Sequence, residues 1–279
     1  MPHTKKQDAF SFRLSVEELF YLLNVLEFNS LPGLGRDPFG TLPLQQKEQM
    51  LIAGFNSLRA KGWVQVLPDE EHPIGLDRLF ISPLLVCAAA RKVLSITKQS
   101  SNFSAEKMLA FYSPDLIVLY RLVEIGVYEF FVTANHKELN KLFMDIICLD
   151  KSEVTKSNGE GDFSVSAQSA RQLLEQQANK DILGIKKLLE GNGVAANIVE
   201  DYLSSLENLH HSVTLNIMEF PEQVQSVDDF KGRMISVLVS RNNSWMIEGG
   251  ANESLQFKRT SSEYFEDLFT IDVHKNRLI

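Results

Sequence analysis

The spacing of apolar positions along the chain switches between a helical period and strict alternation, and each switch marks an element. Val16, Leu19, Phe20, Leu23 and Leu26 recur at helical spacing behind Ser15-Val-Glu-Glu18, a Ser-x-x-Glu capping box, so a first helix is predicted there. Between Leu31 and Pro43 the chain holds Pro32, Gly33, Gly35, Pro38, Gly40 and Pro43, which reads as a loop. A second helix follows with Leu51, Phe55 and Leu58 inward and Gly62 at the position of a C-terminal cap, then a short third helix over about Pro83 to Ala90. The period then becomes alternating, with strands predicted at Lys92 to Lys98, Lys107 to Tyr112, Leu116 to Val123 and Val127 to Ala134. Asn135-x-x-Glu138 opens a further helix whose stripe is Leu139, Leu142, Phe143, Ile146 and Ile147.

The second part of the chain repeats this order. Asp150 to Ser166 combines charge, Ser and Gly with little to bury, and reads as a flexible linker. Two helices are predicted after it. One carries Ala170, Leu173, Leu174, Ile185, Leu188 and Leu189, and the other Val194, Ile198, Tyr202 and Leu206, with Gly191-Asn192-Gly193 between them. Alternation returns at Ser212, where Val213, Leu215 and Ile217 share one face, and strands follow at Arg233 to Ser240, Ser244 to Glu248 and Ser254 to Arg259. Thr260-x-x-Glu263 caps a last helix with Tyr264, Phe265, Leu268 and Phe269. The reading is an α+β fold of two pseudo-symmetric halves, 1–149 and 167–279, joined by the linker 150–166. Each half is helices, then a four-stranded antiparallel meander, then a closing helix. A direct overlay of Lys107 to Phe143 on Arg233 to Phe269 gives few identities, so the shared order of elements carries the duplication.

Composition narrows the function. The 279 residues are 44% hydrophobic, enough for one large core or two modest ones, and 28 basic against 36 acidic side chains leave a net charge of -8. An acidic surface without a basic run repels phosphate backbones, so nucleic acid is not the expected partner. Cys87 and Cys148 lie in apolar stretches and read as buried, reduced thiols. The apolar run Ile81 to Ala90 is far short of the roughly 20 residues of a membrane span, and Met1 to Asp8 lacks the apolar run of a secretory signal, so the expected location is the cytoplasm.

No catalytic constellation emerges. The histidines at 3, 72, 136, 210, 211 and 274 show no ligand spacing with Cys or acids, and His210-His211 reads as a polar junction between helix and strand. Gly33-Leu34-Gly35 follows a helix and lacks a third glycine, so it is a turn, while Gly249-Gly250 is hairpin chemistry. Neither cysteine has an activating neighbour, and Glu17-Glu18 and Asp228-Asp229 sit at a helix start and in a loop. The expectation is therefore a protein that is not an enzyme and has no cofactor and no metal. One alternative comes from Gln45 to Ile81, where a helix, a glycine turn at Gly62, a strand Val64 to Val66 and a returning segment Gly75 to Ile81 read as a winged helix. A regulator with an attached sensor domain would follow, although the helix offers only Lys47, Arg59 and Lys61 as cations.

The layout resembles the EspG family, the cytosolic chaperones of type VII secretion. The matching features are Leu14-Ser-Val-Glu-Glu-Leu19, Leu58-Arg-Ala-Lys-Gly-Trp63, Gly232-Arg-Met-Ile-Ser-Val-Leu-Val-Ser240, Ser244-Trp-Met-Ile-Glu248 and the terminal capped helix. The lower Ala and Arg content and the Lys and Asn usage look like a divergent relative from another Gram-positive lineage. The resemblance implies a chaperone or adaptor that binds an amphipathic helical hairpin of a secreted protein and covers its apolar tip. Such a role needs apolar side chains outside the core. Trp245 alternates with Met246, so one of the two is expected to face away from the layer that buries Ile247 or Leu255. Val194 and Ile198, just past the Gly191-Asn-Gly193 turn, are expected to flank the same edge; the alternative is that all four are ordinary core.

Overall fold

The structure is a computed structural model that describes residues 9–28, 30–34, 39–68, 74–100, 105–147, 161–219, 231–240, 243–250 and 254–260. The terminal helix expected behind Thr260, residues 150–160 of the expected linker, and Cys148 lie outside the described residues.

Strand β1 (Ala9–Ser15) leads directly into helix α1 (Val16–Val25), because Ser15 closes the strand and caps the helix. The Ser15 hydroxyl accepts from the Glu18 amide at 3.2 Å while the Glu18 carboxylate accepts from the Ser15 amide at 2.9 Å, the reciprocal pair expected of the capping box. Helix α2 (Leu44–Ala60) ends on Lys61 and Gly62, and a hairpin of β2 (Val64–Val66) and β3 (Ile74–Leu76) follows. Helix α3 (Arg78–Ala89) starts five residues ahead of the predicted one. Asp77 caps it by accepting from the Leu79 amide at 2.9 Å, and Pro83 sits inside the helix instead of at its start.

The four predicted strands are β4 (Lys92–Ser100), β5 (Ala105–Tyr112), β6 (Ile117–Glu124) and β7 (Val127–Thr133), followed by α4 (His136–Ile147). Phe163–Val165, inside the expected linker, is strand β8, since Phe163 and Val165 flank Ser164 in alternation and pair with a later strand. Three helices stand where two were expected: α5 (Ala167–Ala178), α6 (Ile182–Gly191) and α7 (Ala196–Glu207). Strand β9 (Leu209–Glu219) begins ahead of Ser212 and includes both His210 and His211, and β10 (Lys231–Ser240), β11 (Trp245–Gly249) and β12 (Leu255–Arg259) complete the set.

Among the described residues ten strands form a sheet in the order β1-β7-β6-β5-β4-β9-β10-β11-β12-β8, and β2 and β3 form a separate two-stranded sheet. The fold is thus α+β with an antiparallel meander in each part. In addition, β1 pairs antiparallel with β7 from Ala9↔Thr133 to Ser15↔Val127, and β8 pairs antiparallel with β12 from Phe163↔Phe257 to Val165↔Leu255. A leading strand returning to the last strand of the meander was not read from the sequence in either part.

The chain divides into two compact units that interleave along the sequence: Met1–Leu94, Met108–Asn135 and Met218–Lys231 form one, and Ser95–Lys107, His136–Ile217 and Gly232–Ile279 the other. Helix α4, which the sequence reading placed in the first half, belongs to the second unit. The first unit buries Phe12, Leu14, Leu19, Leu23, Leu58, Phe111 and Phe130 in one core, with Phe12 stacked on Phe130 at 5.0 Å between ring centres. The second buries Leu173, Ile185, Leu189, Val199, Tyr202, Trp245 and Phe257.

Helix ends are closed by one recurring device. After α1, α2, α5 and α6 the chain turns through a left-handed residue and returns an amide to a carbonyl five residues back, in the pairs Phe28→Leu23, Trp63→Leu58, Asp181→Gln176 and Val194→Leu189. Gly62 (φ 75°) and Gly193 (φ 81°) serve α2 and α6, but Glu27 (φ 58°) and Lys180 (φ 55°) serve α1 and α5.

Candidate protein-interaction surface

Strand β11 sends Trp245 into the second core. Its ring meets Tyr202 edge-on at 5.5 Å and Phe163 at 5.6 Å, its Nε1 donates to Ser205 Oγ at 3.1 Å, and the Arg259 guanidinium lies 5.7 Å from its centre. Burial pushes the Tyr202 hydroxyl well above the usual phenol range, despite a hydrogen bond from Gln177, so it stays neutral. Met246 points to the opposite face of β11, as the pleat requires, and both Trp245 and Met246 are 0% exposed. Met246 therefore faces away from the layer that holds Trp245, Ile247 and Leu255, as expected, but it is buried as well: both faces of β11 are covered at this point. Val194 is buried in the same cluster as Trp245, and Ile198 packs half-buried against it. The structure thus brings Trp245, Val194 and Ile198 together as core and sets Met246 apart on the other face.

The apolar side chains left in solvent are others. In the second unit Leu174 of α5 and Leu183 of α6 are 55% and 62% exposed. In the first unit the β2–β3 hairpin places Val66 opposite Ile74 with both exposed, and Leu67 lies over Gly75, where an added Cβ would approach within 3.2 Å. Helix α3 continues this surface chemistry: it has one charged residue, Arg78, and leaves Leu79 and Leu85 exposed while Leu84 and Cys87 are buried. The sequence pattern hid these positions because an amphipathic count assigns every apolar residue of a short helix to its core, and α3 carries apolar residues on all sides. Burial also pushes the Cys87 thiol far above the usual range, which keeps it protonated and unreactive.

Several charged groups in both units are tied to structure. Glu18 is buried and accepts from Ser57 Oγ at 2.6 Å and Lys61 Nζ at 2.8 Å, so α1 and α2 are joined through its carboxylate. Lys47 Nζ donates to the Gly40 carbonyl at 3.3 Å. Two of the three cations expected for a winged-helix contact with DNA are therefore engaged within the chain. On the sheet, Glu129 lies between Arg13 and Arg121, and Glu248 between Arg233 and Lys258. Burial pushes both carboxyls upward, but hydrogen bonds from these cations, with their charges, hold each below the usual carboxylate range. Among the described residues no three His, Cys, Asp or Glu side chains are grouped so as to hold a metal ion, and His211 is buried whereas His210 is exposed. No described helix is long and apolar enough to cross a membrane.

No protein-family model matches the chain, and no curated protein matches it. Its fold is nevertheless similar to that of a solved structure, the Mycobacterium tuberculosis type VII secretion system chaperone EspG5 in complex with the PE25-PPE41 dimer. The TM-score is 0.66, with 94% of this chain and 95% of that chain covered. Sequence identity over the match is 11%, so the likeness is one of fold.

Proposed function

We propose that this chain is a non-enzymatic chaperone or adaptor that binds a helical secreted protein in the cytoplasm, in the manner of a type VII secretion chaperone. The observation that carries the reading is the likeness of fold to EspG5 along nearly the full length of both chains, since that protein was solved bound to a protein dimer. Fold alone does not fix function. The exposed leucines on α3, α5 and α6 supply the second support, because a chaperone must offer apolar surface that its own core leaves unused. The client is an amphipathic helical hairpin whose apolar tip is covered on binding. In the second unit the contact is made by Leu174 and Leu183, with the solvent-reachable flank of Ile198.

Co-expression with PE-like and PPE-like helical proteins from the same genome tests this. The expected result is a defined complex on size exclusion, a client that precipitates when expressed alone, and loss of the complex in Leu174→Asp and Leu183→Asp with an unchanged melting temperature. A client that stays soluble alone and never co-elutes would overturn the reading. The order helix α2, hairpin β2–β3, helix α3 keeps a winged-helix regulator as the second reading, and a retarded DNA band in a gel shift at physiological salt would favour it.

A further inference from the structure

Where α1 ends, the first unit holds an open depression of about 660 Å³ between the loop residues Glu27, Phe28 and Ser30 to Gly33 and Ala88 of α3. Its walls are Phe28, Leu31, Pro32 and Ala88, and Glu27 is exposed at its rim. The loop is pinned from below. The Tyr120 hydroxyl donates to the Pro32 carbonyl, and Gly33, at φ 94°, lies so close to the sheet that an added Cβ would stand 2.0 Å from Leu109 Cδ1 and 2.6 Å from Tyr120 Oη. Leu109 and Tyr120 are direct cross-strand partners on β5 and β6, so the floor moves only if the sheet does. On the other side the amides of Glu27 and Phe28 are bonded back to Asn24 and Leu23 of α1. The depression is therefore formed before anything enters it, in the size range of a ligand site.

Its electrostatics are one-sided. The C-terminal end of a helix carries a partial negative charge, and α1 has no basic residue in its last turn to offset it. Glu27 adds a full negative charge at the same point, in a chain of net charge -8. From this charge complementarity and the apolar walls we infer that the depression is a docking socket for a protein segment that presents a bulky apolar side chain next to a Lys or Arg. The apolar group enters between Phe28, Leu31 and Ala88. The cation meets Glu27 and the end of α1. The exposed Leu85, one turn before Ala88 on α3, extends the apolar contact. This inference concerns the first unit alone and does not require the secretion role.

The test uses the whole chain, labelled with ¹⁵N, titrated with N-acetyl-phenylalanyl-arginine amide and, in parallel, N-acetyl-phenylalanyl-glutamate amide. Saturable amide shifts are expected at Phe28, Leu31, Gly33 and Ala88, with the arginine compound bound at least about fivefold more tightly. Glu27→Gln should reduce that preference to less than about twofold, and Ala88→Phe, at an exposed position, should abolish the shifts while the melting temperature holds. No saturable shift at these residues, equal affinity for the two compounds, or full binding by Ala88→Phe would each overturn the assignment. A concentration-dependent dimer in sedimentation velocity, lost in Ala88→Phe, would overturn it in favour of a second copy as the occupant.

Discussion

Two helices end on side chains where glycine is the unstrained choice. Lys180 and Glu27 hold positive φ without glycine's freedom, and a left-handed backbone crowds Cβ against the next carbonyl at a cost of about 1–2 kcal/mol. Lys180→Gly removes that crowding but gives the unfolded chain more conformations, a loss of about 0.5–1 kcal/mol. The expected net effect is a gain of up to about 1.5 kcal/mol in urea unfolding. Trp245 gives the opposite sign. Because it is fully buried against Tyr202 and Phe163 and bonded to Ser205, Trp245→Ala should cost about 3–5 kcal/mol and lower the melting temperature directly. Loss of a partner in that variant would then report unfolding, not a lost contact. The signal that first made Trp245 look available, alternation with Met246, is a statement about direction alone. Whether the space in each direction is filled depends on other parts of the chain, which alternation does not encode.

At the scale of elements, the crossing of α1 and α2 depends on Gly54. A Cβ there would stand 2.3 Å from the Glu17 carbonyl oxygen and 2.8 Å from Tyr21 Cβ, so two backbones meet at this residue. Gly54→Ala would favour an isolated helix by about 1 kcal/mol, yet it should destabilise the protein by about 1–3 kcal/mol because the helices must separate. Thermal unfolding decides the sign. The cross-strand triad Arg233, Glu248 and Lys258 has a pH signature. The Glu248 carboxyl titrates below its unfolded value, so its contribution is full above that value and is lost as pH falls through the depressed one. The stability difference between the wild type and Glu248→Gln should therefore be constant near neutrality and shrink from about pH 5 downward. A difference that grows on acidification would contradict the triad.

Elements whose ends carry strong punctuation were legible. Ser15 with Glu18 marked α1, Gly62 marked the end of α2, and the Gly249-Gly250 turn, where the Gly250 amide donates to the Ser254 carbonyl at 2.7 Å, marked the last hairpin. Elements with weak punctuation were missed. The break between α5 and α6 has Lys180 where a glycine would announce it, and Asp181 caps α6 through the Gly184 amide without any change of hydrophobic period. The short strand β8 pairs with β12 across a separation no local pattern reports. The exposed leucines and the depression beside α1 were illegible for a related reason: each is defined by neighbours that stand far away in sequence.

For the molecule as a whole, each part of the chain opens with a strand that pairs with the last strand of the meander that follows. In the first unit β1 reaches β7 with Ser15 opposite Val127. The consequence appears during synthesis. Ser15 emerges 112 residues (127 minus 15) before its partner, and at about 5–20 residues per second that is a wait of roughly 6–22 s. Through that interval the alternating apolar segment with Phe10, Phe12 and Leu14 has no strand to pair with, although Trp63 and Phe80, which pack on Phe12, are already made. A ribosome-bound chain halted before residue 127 should thus bind holdase chaperones through residues 9–15, and one released past residue 133 should not. The first strand made must wait for the last strand of its own meander, so the nascent chain carries an unpaired sheet edge that the finished fold does not show.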